Sequence, residues 1–187
     1  MRYFKLVTLA VVLICYFLCG IALAEQAPEV VVKLAKTTIV DLGSDPVIVA
    51  AVKAENAKGK SLDQIKSLDE KWKATAGIAD FMKSMMESAV GKHLRTIQSS
   101  QPYYSEIFVM DNQGANVAMT DKTSDYWQGD EAKFQKSFNG GTGDVFVDEV
   151  EFDDSSQAYL CQVSVPVKDG DRAIGAITVG IDVDKVK

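Results

Sequence analysis

Near residue 100 the spacing of apolar residues changes from three-and-four to two, and this change fixes the class of fold open to the chain. Upstream, Ile78, Phe81, Met82, Met85, Met86, Ala89, Val90, Leu94 and Ile97 recur at i, i+3 and i+4, while Lys83, Ser84, Glu87 and Lys92 face the other way. That pattern predicts one amphipathic helix of about five turns, with its three methionines packed as core and Gln101-Pro102 ending it. Downstream, residues 104–110 and 115–120 read as strands joined by the turn Asp111-Asn112-Gln113-Gly114. Residues 144–152, 157–167 and 172–183 follow as three more strands, joined at Asp153-Asp154-Ser155-Ser156 and Lys168-Asp169-Gly170-Asp171. Tyr159, Cys161, Val163, Val165 and Val167 share one strand face, and so do Ile177, Val179, Ile181 and Val183. Turns this short allow only antiparallel pairing. The expected fold is an α+β domain, a five-stranded antiparallel sheet with helices packed on it.

The region before the Met-rich helix is also helical by its signals. Ser44-Asp45-Pro46 is a start, with a capping side chain and a proline in the first turn. Val47, Ile48, Ala51 and Val52 form an apolar stripe that loosens near Lys58-Gly59-Lys60. Ser61 can cap a second stretch carrying Leu62, Ile65, Leu68 and Trp72, and Gly77 marks a break. Residues 25–43 are expected to be a segment preceding a single domain over 44–187.

The N-terminus reads as an address. Arg2 and Lys5 precede an apolar run from Leu6 to about Leu23, which closes on Ala22-Leu23-Ala24. A positive start, an apolar middle and small residues at −3 and −1 are what signal peptidase reads, so residues 1–24 are expected to be an export signal cut after Ala24. The alternatives are an uncleaved anchor, since the run approaches the ~20 residues that span a bilayer, and a lipoprotein at Cys19, disfavoured by the bulky Leu18. Either way the domain works on the far side of a membrane, in the periplasm or outside the cell. The lost segment carries Arg2 and Lys5 and no acid, so the formal charge of −6 becomes −8. A domain this acidic does not favour nucleic acid or anionic lipid as partners. Cys15 and Cys19 lie in the signal, leaving Cys161 alone. Its strand setting predicts a buried, inert thiol, with an intermolecular bridge as the alternative.

Catalytic chemistry fits the chain poorly. His93 is the sole histidine and lies beside the apolar stripe of the Met-rich helix, which predicts a structural or surface role. Asn139-Gly140-Gly141-Thr142-Gly143 is rich in glycine but no Gly-Lys-Ser/Thr follows, so it is not a phosphate loop. No His/Cys spacing suits zinc. Asp148, Glu149, Glu151, Asp153 and Asp154 lack the regular calcium-loop pattern, and their alternation predicts a solvated outer strand face. No cofactor and no metal are expected, and the chain is not expected to be an enzyme.

The order of elements, with Ile107-Phe108-Val109-Met110-Asp111-Asn112-Gln113-Gly114, Thr123-Ser124-Asp125-Tyr126-Trp127-Gln128-Gly129-Asp130-Glu131 and the end Ile174-Gly175-Ala176-Ile177-Thr178-Val179-Gly180-Ile181-Asp182, resembles the extracytoplasmic Cache (PDC, PAS-like) sensor domains of bacterial chemoreceptors and kinases. The resemblance covers roughly residues 44–183. It implies a strand order of 2-1-5-4-3 and a ligand pocket on one sheet face, roofed by residues 121–143. The amino-acid-binding subgroup places an Arg, a Trp and a Tyr in this roof. Here Asp125, Tyr126 and Trp127 are present and Arg is absent, which argues against a ligand carboxylate.

Two large aromatics among polar residues either wall a pocket or plug the sheet face. With the resemblance, Asp125, Tyr126 and Trp127 are expected to bind the ligand, joined by Tyr104 and Tyr159. Acids lining such a pocket would suit a cationic or hydroxyl-rich ligand. The chain stops at Lys187, where membrane-bound relatives continue into an output region. The expected function is therefore a small-molecule-binding sensor domain without its own output module, serving a membrane receptor or kinase partner. The alternative is a structural or interaction domain with a closed pocket, for instance a homodimer.

Overall fold

The fold is described from a computed structural model over residues 25–153 and 156–187. The expected export signal, and with it the choice between cleavage and anchor, lies outside the described residues. Among those described, no helix is long and apolar enough to cross a membrane.

Five strands form one antiparallel sheet: β1 (Tyr104–Met110), β2 (Asn116–Met119), β3 (Phe146–Asp153), β4 (Ala158–Asp169) and β5 (Arg172–Asp182). Their order is β2-β1-β5-β4-β3, the PAS-like order that the resemblance implies. The hairpin turn works as its residues dictate. Asp111 Oδ1 accepts from the backbone N–H of Gln113 (2.8 Å) and Ala115 (3.0 Å), and Gly114 sits at φ 84°, a value that suits glycine.

One face of the sheet is wholly apolar. Ile107, Val109, Cys161, Val163, Val165, Val167, Ile177, Val179 and Ile181 are fully buried there. Three helical pieces cover it. The first runs from α1 (Glu29–Leu34) through a π-helical turn (Ala35–Ile39) into α2 (Val40–Leu42). Its Val31, Ala35 and Ile39 are fully buried against the sheet, so the segment expected to precede the domain belongs to its core. Next comes α3 (Pro46–Asn56), started by Asp45, whose Oδ1 accepts from the N–H of Val47 (2.8 Å) and Ile48 (3.1 Å). The last is α6 (Ala89–Gln98). His93 on α6 reaches Asp45 Oδ2 at 2.9 Å, tying the two helices together in the structural role expected of it. Burial alone would raise the Asp45 carboxyl, but the bonds from His93 and from the Ile48 and Val47 amides outweigh it and hold the pKa down.

The single Met-rich helix is a correction. The stretch is two helices, α5 (Asp80–Met86) and α6, broken at Glu87-Ser88. Ser88 caps α6, its Oγ accepting from the Gly91 N–H at 3.0 Å. The end of α5 folds down onto α6 so closely that a Cβ on Gly91 would collide with the carbonyl oxygens of Met85 and Met86. Arg95 donates to the Met86 carbonyl and closes the corner.

The second face is mixed. Phe108, Met110, Met119 and Ala176 pack with Ile65 and Trp72 of α4 (Leu62–Ala74), Met82 of α5, Tyr126, and Phe134 of α7 (Ala132–Phe138). Ser61 and Gln64 form a capping box at the start of α4, as its sequence predicts.

Candidate ligand-binding site

Where the second face is not covered by this cluster, a cavity of about 540 Å³ lies over the sheet. Its floor is Glu106 and Phe108 of β1 with Leu160 and Gln162 of β4. One wall is the connection between β2 and β3, supplying Lys122, Thr123, Ser124, Gln128 and Lys133. The opposite wall is β3, with Asp148, Glu149, Glu151, Phe152 and Asp153.

The floor follows from strand register. Glu106 and Gln162 both pair with Gly180 of the intervening strand β5. Gly180 has no side chain to separate them, and a Cβ there would meet Glu106 Cγ at 2.7 Å. Gln162 Nε2 therefore reaches across the glycine and donates to Glu106 Oε1 at 2.8 Å. Beyond Gln162, β3 bulges between its pairings at Val147 and Val150, and Asp148 and Glu149 sit in that bulge. Beside this row, Thr178 pairs with Phe108 and with Ser164, and the Ser164 and Thr178 hydroxyls bond each other at 2.8 Å, fully buried. Burial pushes the Glu106 carboxyl up, and the Gln162 hydrogen bond and Lys133 only partly offset it.

The wall between β2 and β3 is held by polar anchors. Asp69 of α4 accepts from the backbone N–H of Tyr126 (2.9 Å) and Trp127 (3.1 Å). Lys73 pairs with both Asp69 (2.8 Å) and Asp125 (3.1 Å), and those bonds raise its pKa. Asn116 Nδ2 donates to Thr123 Oγ1 and to the Asp125 carbonyl, and Trp72 Nε1 donates to the Thr123 carbonyl. Gln128 Nε2 also donates to the Asp125 carbonyl, at 2.8 Å.

The five residues expected to bind ligand are not among those lining the cavity. Tyr126 is buried in the core under the same segment, its ring 5.7 Å from Trp72, and its hydroxyl accepts from Lys60 at 3.0 Å. Trp127 lies half-buried beside it, donating from Nε1 to the Gln113 carbonyl at 2.8 Å, with Lys66 over its ring. Asp125 is drawn to Lys73. Tyr104 packs into the opposite, apolar face. Tyr159 is exposed, its ring against Phe152. The structure thus brings Asp125, Tyr126 and Trp127 together in the wall segment, with Tyr104 and Tyr159 elsewhere. Of the β3 acids expected on a solvated outer face, Glu149 and Glu151 are exposed and also line the cavity with Asp148 and Asp153, while Asp154 lies outside the described residues; the bulge at Asp148 and Glu149 breaks the two-residue alternation there. Cys161 is buried as expected, donating to the Asp148 carbonyl, and burial pushes its thiol up to about 11.

The sequence carries a signal for the missed floor. In the middle of the strands the odd-numbered positions are apolar (Ile107 and Val109, Cys161 to Val167, Ile177 to Ile181), whereas Glu106, Gln162, Ser164 and Thr178 fall on the even register. Polar residues on the other face of strands that stay buried mark a face covered without being filled.

No family model matches the chain, and no curated protein matches it. Solved structures similar to it include the sensor domain of the Vibrio cholerae histidine kinase DctB, at 13% identity and a TM-score of 0.45, covering 84% of this chain and 52% of that one. The sensory domain of the Campylobacter jejuni chemoreceptor Tlp3 is similar at 16% identity and a TM-score of 0.43, covering 84% and 64%. The extracellular domain of the putative histidine kinase rpHK1S-Z16 is similar at 14% identity and 0.43, covering 77% and 54%. The chain thus spans about half to two thirds of the length of these relatives. By its own strand order and long helical lead-in the domain has the PAS-like arrangement of Cache sensor domains, and the likeness is one of fold alone.

Proposed function

We propose that the chain is an extracytoplasmic sensor domain that binds a small molecule in the cavity between β3 and residues 121–143, with that segment as its roof. One observation carries the reading. A cavity of about 540 Å³ is floored by polar side chains that the fold holds in place, within the ~300–1,000 Å³ of small-molecule sites. A sheet face meant only as core would fill this space with apolar side chains, as the other face does. The likeness in fold to kinase and chemoreceptor sensor domains fits a role in reporting a bound molecule to a membrane partner, and no chemical step on the ligand is needed for it.

The test is a thermal-shift screen of the domain against amines, polyols, dicarboxylates and amino acids, repeated with Leu160→Trp. That change puts an indole into the cavity from its floor without altering a charge. A compound that raises the melting temperature of the parent and not of Leu160→Trp supports the reading. If no compound class binds, or binding is indifferent to Leu160→Trp, the domain acts through protein contacts instead.

A further inference from the structure

Resting on that cavity's being a ligand site, we propose that its ligand is an organic cation whose ammonium group is held by Glu106 and Gln128. Seven of the lining residues are ionisable, and five of them are acids: Glu106, Asp148, Glu149, Glu151 and Asp153. Neither lysine offers an uncommitted ammonium. Lys122 donates to the Thr75 carbonyl at 2.8 Å, and Lys133 pairs with Glu131 at 2.9 Å. With five acids against two lysines, both already paired and Lys133 also over the Phe108 ring of the floor at 5.7 Å, the lining is net negative, which favours an ammonium over a carboxylate.

Acids at a rim do not by themselves make a site, and the more telling residue is uncharged. Gln128 lines the cavity and is 1% exposed, yet its Oε1 accepts no hydrogen bond among the described residues. Its orientation is fixed, because Nε2 donates to the Asp125 carbonyl, and a flipped amide would set two oxygens against each other. A buried acceptor left without a donor costs stability, so it implies a donor that arrives from outside. Glu106 lies half-buried on the floor of the same cavity. Its Oε1 is taken by Gln162, and its other oxygen accepts from no described residue. Two acceptors on one cavity, one of them a carboxylate, fit an N–H donor of positive charge. A hydroxyl would satisfy the acceptors and leave the charge unmatched.

The experiment is isothermal titration of the domain with 1,4-diaminobutane, phenethylamine and ethanolamine, against 1,4-butanediol and succinate. The parent is compared with Glu106→Gln, which keeps the size of the side chain and a partner for Gln162, and with Glu70→Gln on the exposed face of α4 as a charge control. Binding by at least one amine, about tenfold or more weaker in Glu106→Gln and unchanged in Glu70→Gln, is the expected result. Equal affinity for parent and Glu106→Gln overturns the proposal. So does binding of succinate or the diol without any amine; if that binding is lost in Leu160→Trp, the cavity remains a ligand site and only the cation assignment fails. Silence from all five compounds also overturns it, and the wider screen then decides whether the cavity binds anything.

Discussion

Glu106 shows how a single half-buried carboxyl can cost the folded domain stability. Its folded pKa lies above the ordinary 4.5 because burial disfavours the carboxylate, with Asp153 and Asp121 adding to the rise while Gln162 and Lys133 oppose it. Between the unfolded and the folded pKa the native state holds the extra proton, so stability falls as pH rises through that window. Glu106→Gln removes the penalty. Thermal denaturation should find the variant more stable than the parent at pH 7, with the difference fading as pH drops below about 4.5. Asp69 is the opposite case. Asp69→Ala leaves the Tyr126 and Trp127 amides unpaired and releases Lys73. Urea unfolding should show a loss of about 1–3 kcal/mol. Tyr126 and Trp127 are conspicuous in the sequence because they are large. Asp69, whose carboxylate holds both amides, is a small polar side chain far away in the chain, and nothing in its local pattern announces a contact across 57 positions.

At the scale of elements, the strands were legible because a period of two and short turns leave few alternatives, and all five lie close to their expected bounds. The corner between α5 and α6 was not. The apolar stripe runs through it without a change of phase, so periodicity alone reads one helix. Ser88 and Gly91 are its local signs, a cap and a position without a Cβ. Gly91→Ala should therefore destabilise the domain by about 1–3 kcal/mol, since the methyl would meet the carbonyls of Met85 and Met86. Helix propensity alone expects the reverse, about 1 kcal/mol of gain. Chemical denaturation gives the sign directly. The bulge in β3 is a similar lesson. One irregular pairing turns Asp148 and Glu149 toward the cavity, and an alternating pattern cannot report where a ladder breaks.

Across the whole molecule the apolar face is covered by the N-terminal helices and the other face carries the polar cavity. Removing residues 25–43 would strip Val31, Ala35 and Ile39 from the first face. The truncated chain should lose its cooperative thermal transition by circular dichroism, while a chain beginning at Glu25 keeps it. Strand order was read from resemblance, and the structure agrees with it; the residues that line the cavity were not. Aromatics drew attention to the roof, whereas the fold puts its chemistry on the sheet, at Glu106 and Gln162 either side of Gly180.

Backbone amide shifts followed during titration with the amine that binds test the central claim most directly. Perturbations gathered on Glu106, Phe108, Thr123, Gln128, Lys133 and Gln162 are expected, and all of these line one cavity. Shifts gathered instead around Tyr104 and the helices of the apolar face, or spread with no focus, would contradict it.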